Sequence, residues 1–249
     1  MEHVLDNPIY NALDSGNSHL SEGMGEVRYF PRDISPFVGL KNFDEQSFAE
    51  LANMPPPKTI AVMITGDNPV IPSPWKIIHK STILQMTGEN AMLPAAAIDA
   101  IVPLDVHHVP QMLELTKLTN PGPFLQRTIE FGNYTGIFDG ERLIAMAGNR
   151  LHAGQYKEIS AVCTHPDYTG KGYGKLLLLY HTQQIIQQHN IPFLHVRAEN
   201  EKAIKLYETC GFKKRGDMHL NVIQGRDEIN RVSTTGDTSD NIAINIIKP

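Results

Sequence analysis

The sequence predicts an α/β fold of the α+β kind, in which a mixed, mostly antiparallel and twisted sheet is flanked by helices and joined by a smaller N-terminal α+β lobe. First, Asp139-Gly140 lies between two apolar runs, which is a strong hairpin signal. Second, glycines at residues 170–174 separate a strand pattern from a Leu-rich helical pattern. Third, a helix pattern at residues 201–210 ends in Gly211, a residue type favoured after helices.

The N-terminal lobe is expected to cover residues 1–97. A helix is predicted at residues 44–53, with Asp44 as its N-cap, and Pro55-Pro56-Pro57 form a stiff break after it. Three stretches have strand patterns: residues 27–30, 59–65 and 75–86. Together these elements predict a small mixed lobe.

Residues 98–223 are expected to form the main domain. Its predicted strands are residues 98–103, 134–138, 143–151, 158–164, 193–196, 212–214 and 218–222. Its predicted helices are residues 106–118, 124–131, 172–189 and 201–210. Residues 224–249 read as a flexible polar tail, with a strand-like alternation at residues 242–247 that has no functional interpretation.

Composition excludes several classes of protein. The formal net charge of −5 argues against nucleic acid or an anionic membrane as the main partner, and it mildly favours a cationic ligand. The chain has two cysteines, Cys163 and Cys210. So few cysteines indicate a protein without a disulfide framework that works in a reducing compartment. The N-terminus lacks a secretory signal pattern, and the longest apolar run, residues 91–104, is interrupted and too short to span a bilayer. A cytoplasmic protein without membrane association is therefore expected.

The glycine-rich stretch is the main functional signal. Glycines at every second position, Gly170, Gly172 and Gly174, let backbone amides approach a bound group closely. The start of the following helix favours an anion, and Lys171 and Lys175 add positive charge. The stretch predicts a phosphate-binding loop, with an ordinary tight turn before a helix as the alternative.

Two common phosphate motifs do not fit this stretch. A dinucleotide-binding loop requires Gly-x-Gly-x-x-Gly with an acidic residue about 20 positions later, whereas the spacing here is Gly-x-Gly-x-Gly and the nearest polar candidate is Asn190. A Walker loop requires Gly-x-x-x-x-Gly-Lys-Ser/Thr, but Thr169 takes the first glycine position and Leu176 follows Lys175. The phosphate carrier must therefore be of another kind.

Two segments together resemble the GNAT N-acetyltransferase superfamily, of the FR47-like type with an extra N-terminal lobe. Residues 169–174 are similar to its signature Gln/Arg-x-x-Gly-x-Gly/Ala, with Thr169 in place of Gln/Arg. Residues 200–212 resemble its closing helix, with Asn200 at the start, Tyr207-Glu208 near the end and Gly211-Phe212 leading to the next strand. The likeness covers roughly residues 98–222 and implies a GNAT-type fold.

The resemblance implies acetyl transfer from acetyl-coenzyme A (acetyl-CoA) to a primary amine by direct attack in a ternary complex. It further implies that the N-terminal lobe walls the acceptor side of the cleft. The pantetheine is expected to bind to Val162, Cys163 and Thr164. The diphosphate is expected to bind to Gly170, Lys171, Gly172, Tyr173, Gly174 and Lys175. Asn200 is also expected to bind the coenzyme, although a role as helix N-cap would equally account for an asparagine at this position.

Two residues are the catalytic candidates that the resemblance implies. Tyr207 would protonate the departing thiolate, and its alternative is a core tyrosine on the helix face. Glu158 would remove the proton of the amine, alone or through water, and its alternative is a solvated charge at a strand end. Cys163 as an acyl-accepting thiol is the weaker reading, because direct transfer needs no covalent intermediate.

No metal site is expected, because His107, His108, His152 and His165 do not form a ligand set at metal spacing. His165, next to Pro166, is expected to shape a turn. A monomer or homodimer is expected. The alternative function is a non-catalytic module that binds or senses acyl-CoA without turnover.

Overall fold

The computed structural model describes residues 3–53, 60–89 and 100–225, which form five α-helices and eleven strands. The helices are α1 (Pro8–Leu13), α2 (Glu45–Ala52), α3 (Val109–Thr119), α4 (Tyr173–Gln187) and α5 (Glu201–Thr209). The strands are β1 (Glu22–Met24), β2 (Val27–Tyr29), β3 (Val38–Leu40), β4 (Ile60–Thr65), β5 (Lys76–Thr87), β6 (Val102–Pro103), β7 (Thr135–Asp139), β8 (Arg142–Ala153), β9 (Tyr156–Thr164), β10 (Ile191–Arg197) and β11 (Lys213–Gln224).

Eight of these strands form one sheet in the order β4-β11-β5-β10-β9-β8-β7-β6. Neighbouring strands in it are antiparallel except β9 and β10, which are parallel. The remaining three strands form a small antiparallel sheet in the order β1-β2-β3. The prediction of a mixed, mostly antiparallel sheet flanked by helices is confirmed.

The large sheet crosses the boundary that we expected at residue 97. Strands β4 and β5, which we assigned to the N-terminal lobe, pair with the two edges of β11. The reason is the length of β11: the two short strands predicted there form one strand of 12 residues, with an irregularity between Lys214 and Gly216, and both of its edges need hydrogen-bond partners. The division into domains stays a prediction, but the main sheet includes part of the expected lobe.

The helices on either side of the glycine-rich stretch follow the sequence closely. Helices α4 and α5 begin within one residue of their predicted starts. Helix α2 is capped as predicted, since the Asp44 carboxylate accepts a hydrogen bond of 2.8 Å from the backbone N–H of Ser47. Helix α1 was not predicted, because its six residues are too few to show a clear periodicity.

The helix predicted at residues 124–131 is wrong. Only a 3-10 turn, Thr128–Phe131, forms there. The Thr128 hydroxyl accepts a hydrogen bond of 2.7 Å from the backbone N–H of Leu125 and donates one of 2.7 Å to the carbonyl of Ile34. Local side-chain bonds of this kind compete with helix formation.

Some predictions fall outside the described residues. These are the break at residues 55–57, residues 98–99 of the predicted first strand, and residues 226–249 of the tail, including the alternating stretch at residues 242–247. Of the described remainder of the predicted first strand, only Val102–Pro103 form a strand, β6. Within the three described ranges, none of the helices has the length and apolarity needed to cross a bilayer.

The sheet is covered on both faces. Side chains alternate along β10, so Phe193 packs in a core cluster with residues of α1 and α3. Its neighbours Leu194 and Val196 pack instead in a cluster with residues of α4 and α5. Helices α1 and α3 therefore cover one face of the sheet, and α4 and α5 cover the other.

Candidate active site

A cleft opens where the two parallel strands of the sheet separate. Strands β9 and β10 pair at three positions only, from Tyr156 with Ile191 to Glu158 with Phe193. Beyond these positions β9 continues to Thr164 and β10 to Arg197 without pairing to each other. Residues of both strands line the resulting cleft, which has a volume of about 1050 Å³. A chain or ligand with strand-like hydrogen bonds could enter between them.

A bulge in β9 bends the strand at this point. Ala161 has a positive φ of 53°, which an alanine adopts only when the surrounding structure imposes it. The register between β8 and β9 shifts here, from Met146 opposite Cys163 to Gly148 opposite Ser160. Bulges bend a strand and interrupt its ladder, which leaves backbone groups unpaired. The cleft is lined by the residues on the bulged side, Ala161, Val162, Cys163 and Thr164.

The glycine-rich loop lines one end of the cleft. Gly170 and Gly172 have φ values of 81° and 85°, and a Cβ built on either would meet nothing within 4 Å. The backbone of the loop thus faces open space. Gly172 is the N-cap of α4 and supplies no side-chain cap, so the first amides of the helix have no partner within it. These amides and the helix dipole form an anion-binding site.

Other residues hold the loop in place. A 3-10 turn, Pro166–Tyr168, precedes it, and His165 accepts a hydrogen bond of 3.2 Å from the backbone N–H of Asp167, so the predicted turn-shaping role of His165 is confirmed. The Tyr168 hydroxyl donates to the Asp139 carboxylate at 2.5 Å. The ammonium group of Lys171 lies 4.7 Å from the centroid of the Tyr168 ring.

Most of the predicted coenzyme-binding residues lie together in the cleft lining. They are Val162, Cys163, Thr164, Gly170, Gly172, Tyr173, Gly174, Lys175 and Asn200. Lys171 lies outside the lining. The N-cap role of Asn200 is confirmed, because its side-chain oxygen accepts a hydrogen bond of 3.1 Å from the backbone N–H of Ala203. The structure therefore brings the predicted loop and strand residues together in one cleft, and their role in coenzyme binding stays a prediction.

Tyr207 lies in the same cleft, on α5. The residue is 9% exposed, and its ring packs against that of Phe212 with centroids 6.3 Å apart. Among the described residues its hydroxyl has no hydrogen-bond partner. Burial, with smaller effects of Cys163 and Cys210, raises the pKa of Tyr207 to about 12. The phenol is thus a protonated, unengaged donor that faces the cleft and also packs in the core.

Glu158 is not the solvated strand-end charge of our alternative interpretation, because its side chain is fully buried. Its two carboxylate oxygens accept hydrogen bonds from Arg150, of 2.8 Å from Nε and 2.6 Å from Nη2. One of them also accepts a hydrogen bond of 2.7 Å from Nδ1 of His195.

These contacts argue against Glu158 as the proton acceptor. Burial alone would raise the pKa of Glu158, but the charge and hydrogen bonds of Arg150 and the hydrogen bond from His195 lower that pKa to about 2. A carboxylate with so low a pKa is a weak base near neutral pH. The Glu158 side chain also does not line the cleft, whereas its partners Arg150 and His195 do.

Gln85 contacts His195 on the side of its ring away from Glu158. The Gln85 amide oxygen accepts a hydrogen bond of 2.8 Å from Arg215, and its nitrogen donates one of 3.1 Å to the carbonyl of Leu5. This fixes the amide orientation and leaves the nitrogen facing Nε2 of His195 at 3.0 Å. The His195 ring is thus fixed between Gln85 and the Glu158 carboxylate, which Nδ1 approaches to 2.7 Å.

Arg150 and His195 were missed by the sequence reasoning. Arg150 ends an apolar run and Glu158 begins one, and each alone resembles a boundary charge. Their pairing follows only from the register, in which Asn149 lies opposite Ile159. A buried glutamate at the start of an apolar strand, with an arginine at the end of the preceding hairpin strand, is the signal that could have revealed the pair.

The other end of the cleft is walled by residues of the N-terminal half together with β11. Their side chains are largely apolar, with two polar members from β5. They are Phe37, Val62, Ile64, His79, Ser81, Ile83 and Leu220. Described residues between 37 and 83 thus line part of the cleft, and the expectation that the N-terminal lobe walls the acceptor side stays a prediction.

Comparison with known proteins supports this architecture. The sequence model of the FR47-like protein family matches residues 134–221. A solved structure from Novosphingobium aromaticivorans, assigned to the GNAT family of acetyltransferases, has a TM-score of 0.82 and 30% sequence identity, and the match covers 90% of this chain and 100% of that one.

Two curated relatives match over shorter parts of their length. Spermidine N(1)-acetyltransferase from Vibrio cholerae is 41% identical over 56 residues, which are 21% of this chain and 32% of that protein. The uncharacterised protein ML0378 from Mycobacterium leprae is 26% identical over 204 residues, which are 75% of this chain and 55% of that protein. The chain thus spans about a third of the length of the first relative and about half of the length of the second.

The Novosphingobium aromaticivorans structure matches this chain over the whole length of that structure, in both sequence and fold. This match shows that the chain belongs to the GNAT N-acetyltransferase superfamily and is of the FR47-like type.

Proposed function

We propose that the protein transfers an acetyl group from acetyl-CoA to a primary amine, by direct attack of the amine in a ternary complex in the cytoplasm. One observation carries this proposal. The gap between β9 and β10, the uncapped start of α4 and the free hydroxyl of Tyr207 all open into a single cleft. A thioester carrier needs these three features for its pantetheine, its diphosphate and its leaving thiolate.

Acetyl-CoA binds along the bulged strand. Its diphosphate lies on the amides of residues 170–175, where the open space above Gly170 and Gly172 accepts it. Lys175 adds a positive charge at the same end of the cleft. The pantetheine takes strand-like hydrogen bonds from the backbone of Val162, Cys163 and Thr164, which also lines the cleft. The thioester then lies near the point where β9 and β10 separate.

The chemical step forms a bond between the amine nitrogen and the carbonyl carbon and breaks the bond between that carbon and sulfur. The sulfur leaves as a thiolate and accepts the proton of Tyr207, while the attacking nitrogen loses one proton to water as the amide forms. Water then returns a proton to the Tyr207 phenolate, so that the net change is amine plus thioester to amide plus thiol. Burial raises the pKa of Tyr207 to about 12, so the phenol still carries its proton near neutral pH when the thiolate departs.

Glu158 holds the acceptor end of the cleft in place and does not remove the proton from the amine. Its low pKa and its bonds to Arg150 and His195 fit this role. The proton of an ammonium acceptor passes to water before attack, since an alkyl ammonium has no lone pair. The rate at subsaturating acceptor should therefore rise with pH as the free amine becomes more abundant.

A thiol-release screen of amine acceptors, run beside calorimetric titration with acetyl-CoA, tests the proposal. Amine-dependent release of coenzyme A thiol together with saturable binding is the expected result. Saturable binding without thiol release across the amine panel would instead support the acyl-CoA-sensing alternative. The absence of saturable binding would contradict both.

A further inference from the structure

The acceptor end of the cleft lies on the face of the sheet opposite to α4 and α5. Ile159 packs in the cluster of α4 and α5, so its neighbour Glu158 points to the other face. His195 lies on that same face, between Leu194 and Val196, which both pack toward α4 and α5. Arg150, bonded to Glu158, joins them there. A ligand on this side meets these groups and not the phosphate loop.

Arg150 has hydrogen-bond donors that Glu158 does not use. Its guanidinium lies 4.9 Å from the centroid of the Phe37 ring, and its side chain is 11% exposed. Of its five N–H groups, Glu158 takes the one on Nε and one on Nη2. Within the described ranges Nη1 has no hydrogen-bond partner, and it faces the cleft-lining loop of residues 120–123, since a Cβ on Gly122 would lie 3.9 Å from it.

Charges along the cleft lining favour an anionic ligand group over a second cation. In the described part of the chain the lining includes the basic residues Arg150, Lys175, Arg197 and Lys202. Glu199, in the turn between β10 and α5, is the one carboxylate among the described lining residues. A polyamine would need carboxylates to replace the hydration of its additional ammonium groups. The acceptor end offers it an arginine and apolar side chains.

From this geometry we propose that the acceptor is an amine that also carries a carboxylate, of the kind found in an α-amino acid with an apolar side chain. Its carboxylate accepts hydrogen bonds from the free N–H groups of Arg150, and its side chain packs against Ile83 and Leu220, the apolar residues of the acceptor-end wall that keep the most exposed surface. The fixed fork of a guanidinium suits a planar carboxylate. Glu158 and the Phe37 ring hold that fork in one orientation, so little entropy is lost on binding. This inference rests on the acetyl transfer proposed above.

The test compares acceptors that differ in the carboxylate alone. L-leucine is paired with leucinamide and with 3-methylbutylamine, L-phenylalanine with phenethylamine, and spermidine serves as the polycationic acceptor. Thiol release from acetyl-CoA gives kcat/KM for each. We expect the carboxylate-bearing member of each pair to be used at least about tenfold better, which corresponds to about 1.4 kcal/mol.

A double variant links the preference to Arg150. In Arg150→Gln with Glu158→Gln, no unpaired charge is left in the interior, so the fold is better preserved than in either single variant. The preference for carboxylate-bearing acceptors should fall to about twofold or less, while the Kd for acetyl-CoA is retained. Arg127→Gln is the matched control, because Arg127 is 46% exposed, pairs with Asp33 and Glu130 and lies outside the cleft lining. It should keep the full preference.

The outcomes separate the two proposals. Equal use of the paired acceptors, or better use of the carboxylate-free amines or of spermidine, overturns this inference and leaves acetyl transfer standing. A preference that persists in the double variant with intact coenzyme affinity overturns the role of Arg150. If no acceptor causes thiol release while acetyl-CoA binds saturably, both the proposed acetyl transfer and this inference are contradicted.

Discussion

Glu158 accepts two hydrogen bonds from Arg150, of 2.8 Å and 2.6 Å, at a position where the glutamate is fully buried. The pair links β9 to β8 beside the register shift between Asn149 and His152. It also fixes an arginine at the edge of the cleft. The same pair thus explains the low pKa of Glu158 and the orientation of the Arg150 guanidinium at the cleft.

Glu158→Gln should destabilise the protein strongly. The change leaves the Arg150 guanidinium buried without its counter-charge, and breaking a buried pair in this way costs about 3–5 kcal/mol. Urea unfolding measures the loss. Arg127→Gln removes an exposed arginine from surface ion pairs and should leave the midpoint close to that of the unaltered protein. A Glu158→Gln protein as stable as this control would contradict the importance of the buried pair.

Tyr207→Phe should lower kcat by about 100-fold or more, since the phenylalanine keeps the ring but has no proton for the thiolate. The packing of the ring against Phe212 is retained, so the fold should be unaffected. The Kd for acetyl-CoA, measured by calorimetry, should change by about twofold at most. Unchanged turnover would leave Tyr207 as a core residue without a role in the chemical step.

Gly172→Ala should weaken acetyl-CoA binding. With φ at 85°, an alanine at this position is strained by roughly 1–2 kcal/mol. Relief of that strain moves the amides at the start of α4, so we expect the Kd for acetyl-CoA to rise about tenfold, a loss of about 1.4 kcal/mol.

Gly140→Ala provides the matched control for this change. Gly140 also has a positive φ, of 59°, and open space around its Cβ position, but it lies in the turn between β7 and β8 and outside the cleft lining. The Gly140→Ala variant should lose about as much stability as the Gly172→Ala variant, but its affinity for acetyl-CoA should be unchanged. Equal effects of the two substitutions on acetyl-CoA binding would remove the special role of Gly172.

The stability of the protein should fall between pH 6.5 and pH 4 because of His181. Burial lowers the pKa of His181 from 6.5 to about 4. Between these two values the unfolded chain binds a proton at His181 that the folded protein does not bind. The stability that results is fully present above pH 6.5 and is lost as the pH falls toward 4, by on the order of 3 kcal/mol.

The structure explains why His181 stays neutral. His181 is a buried residue of α4, and its ring nitrogens lie 2.8 Å from the Thr135 hydroxyl and 3.1 Å from the side-chain oxygen of Asn149. His181→Gln should remove most of the fall in stability between pH 6.5 and 4, as measured by urea unfolding at several pH values. A smaller fall should remain from His3 and His152, because burial also lowers their pKa values. A further loss below pH 4.5, from Glu158, should remain in that variant because the pKa of Glu158 is lowered to about 2. If the free energy of unfolding of the unaltered protein and of His181→Gln depended on pH in the same way, the lowered pKa of His181 would be contradicted.

Local signals made part of the structure predictable. The Asp139-Gly140 turn, the glycines before α4 and the Asn200 cap each act over a few residues, and the structure confirms the elements that they start or end. The pairing of β4 and β5 with β11 was not predictable, because partners far apart in sequence leave no local pattern. The same limitation hid Arg150 and His195, whose importance depends on the register of β8, β9 and β10.

A structure of the protein in complex with acetyl-CoA tests the central claim most directly. The account predicts that the diphosphate lies within hydrogen-bond distance of the amides of residues 170–175, the pantetheine follows Val162–Thr164, and the sulfur lies beside the Tyr207 hydroxyl. A complex in which the diphosphate lies away from the start of α4, or the sulfur lies outside the gap between β9 and β10, would contradict it.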